Sequence, residues 1–345
     1  MKKTFLSIII ITIFTCFLFA SENKEYYEFV NEYPTIKLPI KGEEYIFLLD
    51  TGATKSIMSN KMAQKLIGDK KIDVSEEAYK ENLEKLLDIG VSFLKEQPEY
   101  SSFSDEELLE IAKEKAKSKN GFYFTLKNFY FANKHIEEIK LKSYTDYNEF
   151  LFDSVCVDGI LGTDFLMNFE IVIFDYKKKR IYFDCEQKIK RNLVKMYHPI
   201  EDKINPIFND LKSKAEGLGV KEKSFQNNAF IPIMLNDEER YFCMDTGNVT
   251  SAAIIYAETE DELKESEINK NDTIGNPTYF YKTLRIGNKK YKNVKCCYFT
   301  YPGIVALSGE IHKKNEVFKA NFLGHDFFKD KIIQFDFKNK TFGIK

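Results

Sequence analysis

Two stretches of the 345-residue chain alternate apolar and polar positions in the same way. Residues 36–50 read IKLPIKGEEYIFLLD, residues 231–245 read IPIMLNDEERYFCMD, and the two align without a gap. Each begins with an alternation of period two, typical of a half-buried strand, and passes through a polar turn into a more continuously apolar strand. The pattern predicts two β-hairpins whose second strands end on Asp50 and Asp245.

A second pair of matching stretches follows further along the chain. Residues 160–183 (ILGTDFLMNFEIVIFDYKKKRIYF) match residues 322–343 (FLGHDFFKDKIIQFDFKNKTFG) with a gap of one residue before the FD-x-K-x-K turn. A hairpin-like segment precedes each of them, at 126–144 and at 284–300. Because the same elements recur in the same order, the chain reads as an internal repeat.

The repeat predicts a mainly β protein made of two homologous units. We place the units at 33–185 and 228–345 and join them by a polar segment, 186–227, with a helix expected over 201–217.

The first unit carries about fifty extra residues, which we read as a helical insertion at 72–119. Leucines recur there at helical spacing, and Ser104 followed by Glu107 has the pattern of a capping box. This second helix of the insertion is expected to stop near Asn120 and Gly121.

Residues 1–20 have the layout of a secretory signal. Lys2 and Lys3 precede an apolar run over 5–19, and small residues precede a charged stretch. The run is short for a membrane span, so a cleaved signal is favoured over an uncleaved anchor. Lipid modification at Cys16 is disfavoured because the apolar run continues beyond it. We expect export to the periplasm, the cell envelope or the medium, with no stable membrane span in the mature chain.

Composition narrows the range of functions. The net charge of −2 provides no global basic field for nucleic acid or an anionic membrane, so we expect no nucleic-acid partner. The five cysteines beyond residue 20 are odd in number and irregularly spaced, so no disulfide framework can be read. The four histidines form no pair with metal-ligand spacing, and we predict neither a metal site nor a cofactor.

One short motif occurs in both units. Asp-Thr-Gly directly follows the second hairpin strand at Asp50 and at Asp245, and two apolar residues with a glycine come later in each unit. The motif residues are Asp50, Thr51, Gly52 and Ala53 with Ile160, Leu161 and Gly162, and Asp245, Thr246, Gly247 and Asn248 with Phe322, Leu323 and Gly324.

A single Asp-Thr-Gly could equally be an ordinary β-turn, in which the aspartate caps its own backbone. Two copies in matching contexts instead resemble the aspartic peptidases, as a bilobal, bacterial-type relative of the retropepsins. The resemblance covers most of the chain beyond residue 33, apart from the insertion and the joining segment. It implies two β-barrel lobes, a single cleft between them, a peptide or protein substrate, and Asp50 and Asp245 as the catalytic pair.

The chemistry fits those residue types. Two carboxylates held a few ångströms apart cannot both ionise, so they share one proton. The charged member can then act as general base on a water, and the protonated member can polarise the scissile carbonyl. Gly52 and Gly247 let the backbone approach closely and offer N–H donors. The resemblance implies that Thr51 and Thr246 lock the two loops together.

The motif also carries two asymmetries. Asn248 has a side-chain amide where Ala53 has none, so we hypothesise that Asp245 is the more readily ionised partner. The resemblance further predicts a flap over the cleft, with a tip at Gly275 and Asn276 in the second unit; a plain surface loop is the alternative there.

Asp164 and Asp326 follow the hydrophobic-hydrophobic-Gly motif and are predicted to be structural residues at helix N-termini.

Two other interpretations of the whole chain stay open. It could bind peptides in the cleft without cleaving them, or pair its units with those of a second chain in a dimer. Since one chain already supplies both aspartates, we expect a monomer.

Overall fold

A computed structural model describes most of the β-rich part of the chain. The described residues are 26–30, 32–67, 104, 106–108, 110–111, 123–144, 150–152, 155–186, 188–197, 228–235, 238–248, 253–256, 267–269, 278–281, 283–299 and 321–345. The protein is mainly β, as predicted.

A first sheet of six strands is built from the chain up to Leu161, in the order β2-β3-β9-β4-β6-β5. Its strands are β2 (Thr35–Ile40), β3 (Glu43–Leu49), β4 (Ile57–Ser59), β5 (Tyr123–Phe131), β6 (Lys134–Tyr144) and β9 (Gly159–Leu161). Between β6 and β9, strands β7 (Phe150–Phe152) and β8 (Val155–Val157) pair separately with each other.

A second sheet of nine strands is built from the chain after Phe230, in the order β16-β17-β20-β15-β21-β14-β13-β18-β19. Its strands are β13 (Phe230–Leu235), β14 (Glu238–Met244), β15 (Ala253–Tyr256), β16 (Glu267–Asn269), β17 (Thr278–Tyr281), β18 (Leu284–Ile286), β19 (Lys289–Tyr291), β20 (Val294–Phe299) and β21 (Asn321–Leu323).

The two sheets share one pattern of connections. In the first, β2 and β3 form a hairpin, β3 runs parallel to β9, and β4 lies between β9 and β6. In the second, β13 and β14 form a hairpin, β14 runs parallel to β21, and β15 lies between β21 and β20. The two hairpins predicted at 36–50 and 231–245 are confirmed.

A third sheet draws strands from both parts of the chain, in the order β1-β11-β10-β22-β23-β12. Its strands are β1 (Tyr27–Glu28), β10 (Ile171–Asp175), β11 (Arg180–Phe183), β12 (Val194–Lys195), β22 (Ile332–Asp336) and β23 (Thr341–Ile344). Strand β10 pairs antiparallel with β22 along five residues, which joins the two halves of the chain by main-chain hydrogen bonds. We call this the joining sheet.

The FD-x-K-x-K repeats form matching turns in the joining sheet. Asp175 Oδ1 accepts a hydrogen bond of 3.0 Å from the Lys178 N–H, and Asp336 Oδ1 accepts one of 2.8 Å from the Asn339 N–H. Lys179 and Lys340 adopt positive φ angles of 52° and 50°. The repeated sequence therefore encodes a repeated turn geometry.

Three short helices pack against the sheets: α1 (Asn60–Ile67), α2 (Thr163–Leu166) and α3 (His325–Phe328). Helix α1 was not predicted. Ser59 Oγ caps it by accepting from the Met62 N–H at 3.1 Å, and Met62, Ala63 and Leu66 face the core.

One large apolar cluster takes side chains from all three sheets, among them Phe47, Phe174, Phe242 and Phe335. Burial on this scale is the main source of stability in such a protein. A smaller cluster of Tyr33, Leu48, Val157 and Ile160 lies apart from it.

Most of the predicted helical insertion at 72–119 lies outside the described residues, as does the helix expected over 201–217. Within the insertion, Ser104 and Glu107 exchange the two hydrogen bonds of a capping box, at 2.8 and 3.2 Å, as predicted. Residues 106–108 and 110–111 are helical.

Candidate active site

Asp50 lies one residue beyond β3, where the sheet ends. The Asp50 N–H donates to Leu161 O at 2.9 Å, so strand β9 holds the backbone of the aspartate. The chain then turns back, and Asp50 Oδ1 accepts from the N–H groups of Gly52 at 2.7 Å and Ala53 at 3.1 Å. The carboxylate is therefore fixed by its own loop.

The second loop repeats this geometry. The Asp245 N–H donates to Leu323 O at 2.9 Å, and Asp245 Oδ1 accepts from the N–H groups of Gly247 at 3.1 Å and Asn248 at 2.9 Å. The Asn248 bond comes from its backbone N–H, as the Ala53 bond does in the first loop.

Two threonines bind the loops to each other by reciprocal hydrogen bonds. Thr51 Oγ1 donates to Met244 O at 2.5 Å and accepts from the Thr246 N–H at 3.1 Å. Thr246 Oγ1 donates to Leu49 O at 2.7 Å and accepts from the Thr51 N–H at 3.0 Å. Both side chains are completely buried, so this network couples the two loops in a water-free environment.

The loops approach so closely that only glycine fits beside each aspartate. A Cβ atom on Gly52 would lie 2.5 Å from Asp245 Cγ, and one on Gly247 would lie 2.3 Å from Asp50 Cγ. The two carboxyl groups are in hydrogen-bonding contact with each other. The structure thus brings together the two aspartates that the sequence singled out.

Burial raises the pKa of both carboxyl groups. For Asp50 the rise is opposed by the hydrogen bond from Asp245 and by backbone N–H groups, including that of Gly247. For Asp245 the charge of Asp50 adds to the effect of burial, and its pKa lies well above the ordinary value. The pair can therefore keep one proton between them. That Asp245 is the more readily ionised partner stays a prediction.

The hydrophobic-hydrophobic-Gly motifs support the loops from behind. Ile160 and Leu161 pair with β3, and Phe322 and Leu323 pair with β14. Gly162 is needed because a Cβ there would lie 2.7 Å from Ala53 O.

The residue after each motif glycine clamps the aspartate loop. The Thr163 N–H donates to Ala53 O at 2.8 Å, and Thr163 Oγ1 donates to the same oxygen at 3.1 Å. In the second half, Gly324 is followed by His325, whose N–H donates to Asn248 O at 2.8 Å.

Asp164 and Asp326 lie in the first turns of α2 and α3, as predicted. Asp164 also accepts hydrogen bonds from the hydroxyl and N–H groups of Ser56, at 2.6 and 2.9 Å. Asp326 forms an ion pair of 2.8 Å with Lys329. Both residues have structural partners away from the two central carboxyls.

Sequence reasoning missed Asn228. This residue precedes β13, and its side-chain amide donates to Gly52 O at 2.6 Å, across 176 residues of chain. The corresponding residue of the first half is Tyr33, which instead packs its ring on His325 at 4.7 Å. No local pattern marks Asn228, because its partner is distant in sequence.

A buried group of rings near the site was also missed. Tyr176 and His325 pack edge to face at 5.3 Å, and Tyr176 O–H and His325 Nδ1 have no hydrogen-bond partner among the described residues. Burial lowers the pKa of His325 to about 4, so the imidazole is neutral near pH 7. Burial, and the charges of Asp245 and Asp50, raise the pKa of Tyr176 well above its ordinary value.

The proposed flap tip, Gly275 and Asn276, lies outside the described residues.

Within the part of the chain that the structure describes, no three His, Cys, Asp or Glu side chains are placed to hold a metal ion. Among the cysteines that the structure describes, Cys156, Cys185, Cys243 and Cys296 form no disulfide with one another. None of the described helices is long and apolar enough to cross a bilayer.

Comparisons with known proteins add little to this geometry. No family model matches the chain, and no curated protein matches it. Solved structures do match, among them a retropepsin-like aspartic protease from Rickettsia conorii. That match has 16% sequence identity, covers 30% of this chain and 68% of the other, and has a TM-score of 0.19. The similarity is weak, and no conclusion about fold or activity rests on it.

Proposed function

We propose that the protein is an aspartic-type endopeptidase that hydrolyses peptide bonds with a water activated between Asp50 and Asp245. The observation that carries the proposal is the contact of two carboxyl groups from two matching loops, locked by the Thr51 and Thr246 hydrogen bonds. Both aspartates are only half-buried, so a substrate can reach them.

The two carboxyl groups share one proton and therefore have different roles. The ionised member accepts a proton from the attacking water. The protonated member transfers its proton to the scissile carbonyl oxygen as negative charge develops there, which gives a tetrahedral diol. When the C–N bond breaks, the first carboxyl group passes its new proton to the leaving amine, and a diol hydroxyl returns a proton to the second. Neither step requires a metal ion or a covalent intermediate.

We further propose that the chain is a tandem of two homologous lobes, 33–185 and 228–345, joined by 186–227. The pattern of hairpin, parallel pair and inserted strand that the two sheets share supports this division. In this proposal residues 72–119 are a helical insertion in the first lobe, and Gly275 and Asn276 form the tip of a flap. The substrate is a peptide or protein segment, and the enzyme acts as an exported monomer.

The proposal is tested by digesting an unfolded protein between about pH 3 and 7. Wild type should cleave, whereas Asp50→Asn and Asp245→Asn should each be slower by at least about a hundredfold, because each removes one half of the acid–base pair. Asp326→Asn is the matched control, since it neutralises a carboxyl group away from the dyad.

If either Asp50→Asn or Asp245→Asn cleaved at the rate of the wild type, the proposal would be contradicted. Tight peptide binding without cleavage by wild type would also contradict it, and would favour a non-catalytic peptide-binding protein.

A further inference from the structure

The near-zero net charge of the chain conceals an uneven distribution. Segments 188–197, 283–299 and 337–345 are rich in Lys and Arg and contain no Asp or Glu. They are far apart in sequence, so no single run of the chain shows a basic cluster.

The fold brings these segments together. Asn288, at the tip of the β18–β19 hairpin, donates from Nδ2 to Asn192 Oδ1 at 3.4 Å. Strand β12 pairs with β23, which places Lys195 opposite Thr341. Lys289 Nζ donates to Ile344 O at 2.6 Å, which joins the hairpin to the C-terminal strand.

The assembly is held rigidly. The side chain of Gln334 is completely buried, and its Oε1 accepts from the N–H groups of Lys188 and Ile189, both at 3.0 Å. Gln334 Nε2 donates back to Ile189 O at 3.1 Å. The Met196 N–H donates to Lys340 O at 2.8 Å. Residues 188–196 are therefore fixed to the joining sheet at both ends.

Six exposed cations lie on the three joined segments, and we call this set the basic face. They are Lys190, Arg191, Lys195, Arg285, Lys290 and Lys292. None of the ion pairs between described residues includes any of them.

One pair of residues in the basic face contributes unfavourably to the stability of the folded protein. Arg285 and Lys290 lie directly opposite each other in the β18–β19 register, and both are exposed. Like charges in such cross-strand positions repel and destabilise a hairpin. An anionic partner would turn that repulsion into attraction.

We propose that the basic face binds the anionic headgroups of a phospholipid surface. A rigid set of exposed cations is sufficient for this, because each Lys or Arg near such a surface is attracted within about one Debye length, roughly 10 Å at 0.1 M salt.

A single-stranded nucleic acid fits the basic face less well, because its bases need free aromatic rings for stacking. Several described rings in and beside these segments already have other contacts. Tyr291 packs on Phe327 at 5.0 Å, Tyr197 packs on Tyr241 at 5.7 Å, and Lys188 Nζ lies 3.8 Å from the Tyr182 ring centre.

The test measures binding of the full chain to two kinds of vesicle, one of equimolar phosphatidylglycerol and phosphatidylcholine and one of phosphatidylcholine alone. The readout is the ratio of the two partition coefficients. Taking the ratio removes any contribution from the apolar residues 5–19, which would enter both kinds of vesicle.

The test variant is Arg285→Gln/Lys290→Gln, and the matched control is Lys127→Gln/Lys177→Gln. Both double variants remove two exposed cations, so they change net charge equally. We expect the ratio to fall about thirtyfold in the test variant and to change little in the control. In 0.5 M salt the wild-type ratio should approach one.

The test variant is expected to remain folded, since it removes a repulsive pair, and a thermal melt checks this. Equal losses in the test variant and the control would overturn the proposal, as would a wild-type ratio near one at low salt. Tighter binding to a single-stranded oligonucleotide than to charged vesicles, lost in the test variant, would overturn it in favour of nucleic acid. Asp50→Asn should keep the wild-type ratio, so this test is independent of peptidase activity.

Discussion

Asp50 and Asp245 have nearly identical neighbours in sequence but different ones in space. The side chain of Asn248 suggested that Asp245 would ionise first. In the structure, the donors around Asp50 include the Gly247 N–H of the other loop, and burial together with the Asp50 charge raises the pKa of Asp245 well above its ordinary value. Contacts between residues this distant in sequence could not be predicted from either motif alone.

The dyad makes the protein less stable as pH rises. The pKa of Asp245 is raised in the folded state above its ordinary value of 3.8, so the folded protein binds more protons than the unfolded chain. The stabilisation from its protonated form is complete below about pH 4 and is lost as pH rises through the folded pKa.

Asp245→Asn should therefore increase the free energy of unfolding at pH 7, by on the order of 1–3 kcal/mol, and reduce its decline with pH. Urea unfolding at several pH values measures both effects. A variant less stable than wild type at pH 7 would rule out the raised pKa, and Asp326→Asn serves as the control.

His325 has the opposite linkage. Burial, with a smaller contribution from Lys329, lowers its folded pKa from 6.5 to about 4, and Asp326 and Glu32 oppose the shift. The folded protein then binds fewer protons than the unfolded chain. The stabilisation from neutral His325 is present above pH 6.5 and is lost as pH falls toward 4.

The variant His325→Thr tests this linkage. Threonine is chosen because Thr163 follows Gly162 in the first half of the chain as His325 follows Gly324 in the second. In His325→Thr, the stability relative to wild type should rise as pH falls from 7 to 4, by on the order of 2–3 kcal/mol. The comparison between pH values cancels any packing cost of the smaller side chain. A constant difference across this range would show that His325 does not titrate in this way.

Among the secondary-structure elements, the two hairpins were predictable from the sequence. The contacts between the two aspartate loops were not. A period of two is a local property, so the alternation at 36–50 and 231–245 was sufficient to locate β2, β3, β13 and β14. The threonine network joins residues 195 positions apart, and its existence was implied only by the family resemblance. Helix α1 was missed because it is short and its cap, Ser59, is the last residue of strand β4.

The threonine network should behave as one unit. Thr51→Val leaves Met244 O and the Thr246 N–H buried without their partner, which costs about 1–3 kcal/mol, whereas Thr51→Ser keeps the hydroxyl and should cost less.

Because both threonines act in one network, Thr51→Val/Thr246→Val should cost less than the sum of the two single variants. Denaturant unfolding of the four variants measures this coupling. Strict additivity would mean that the two hydroxyls act independently.

The internal repeat explains why two aspartates that are far apart in sequence meet in the folded molecule. Pairing of β10 with β22 makes one joining sheet from both halves, so the two matching loops face each other within a single chain. The sequence predicted the repeat but not Asn228 or the basic face. Both depend on how segments far apart in sequence pack together.

In the proposed enzyme, one chain supplies both members of a single dyad. Mixing Asp50→Asn and Asp245→Asn chains in equal amounts tests this, by comparing the cleavage rate of the mixture with that of each variant alone. We predict that the mixture stays at the rate of the single variants, because every chain lacks one carboxylate of its own dyad. Recovery of a substantial part of the wild-type rate would show that Asp50 of one chain works with Asp245 of another, and would contradict the intrachain dyad.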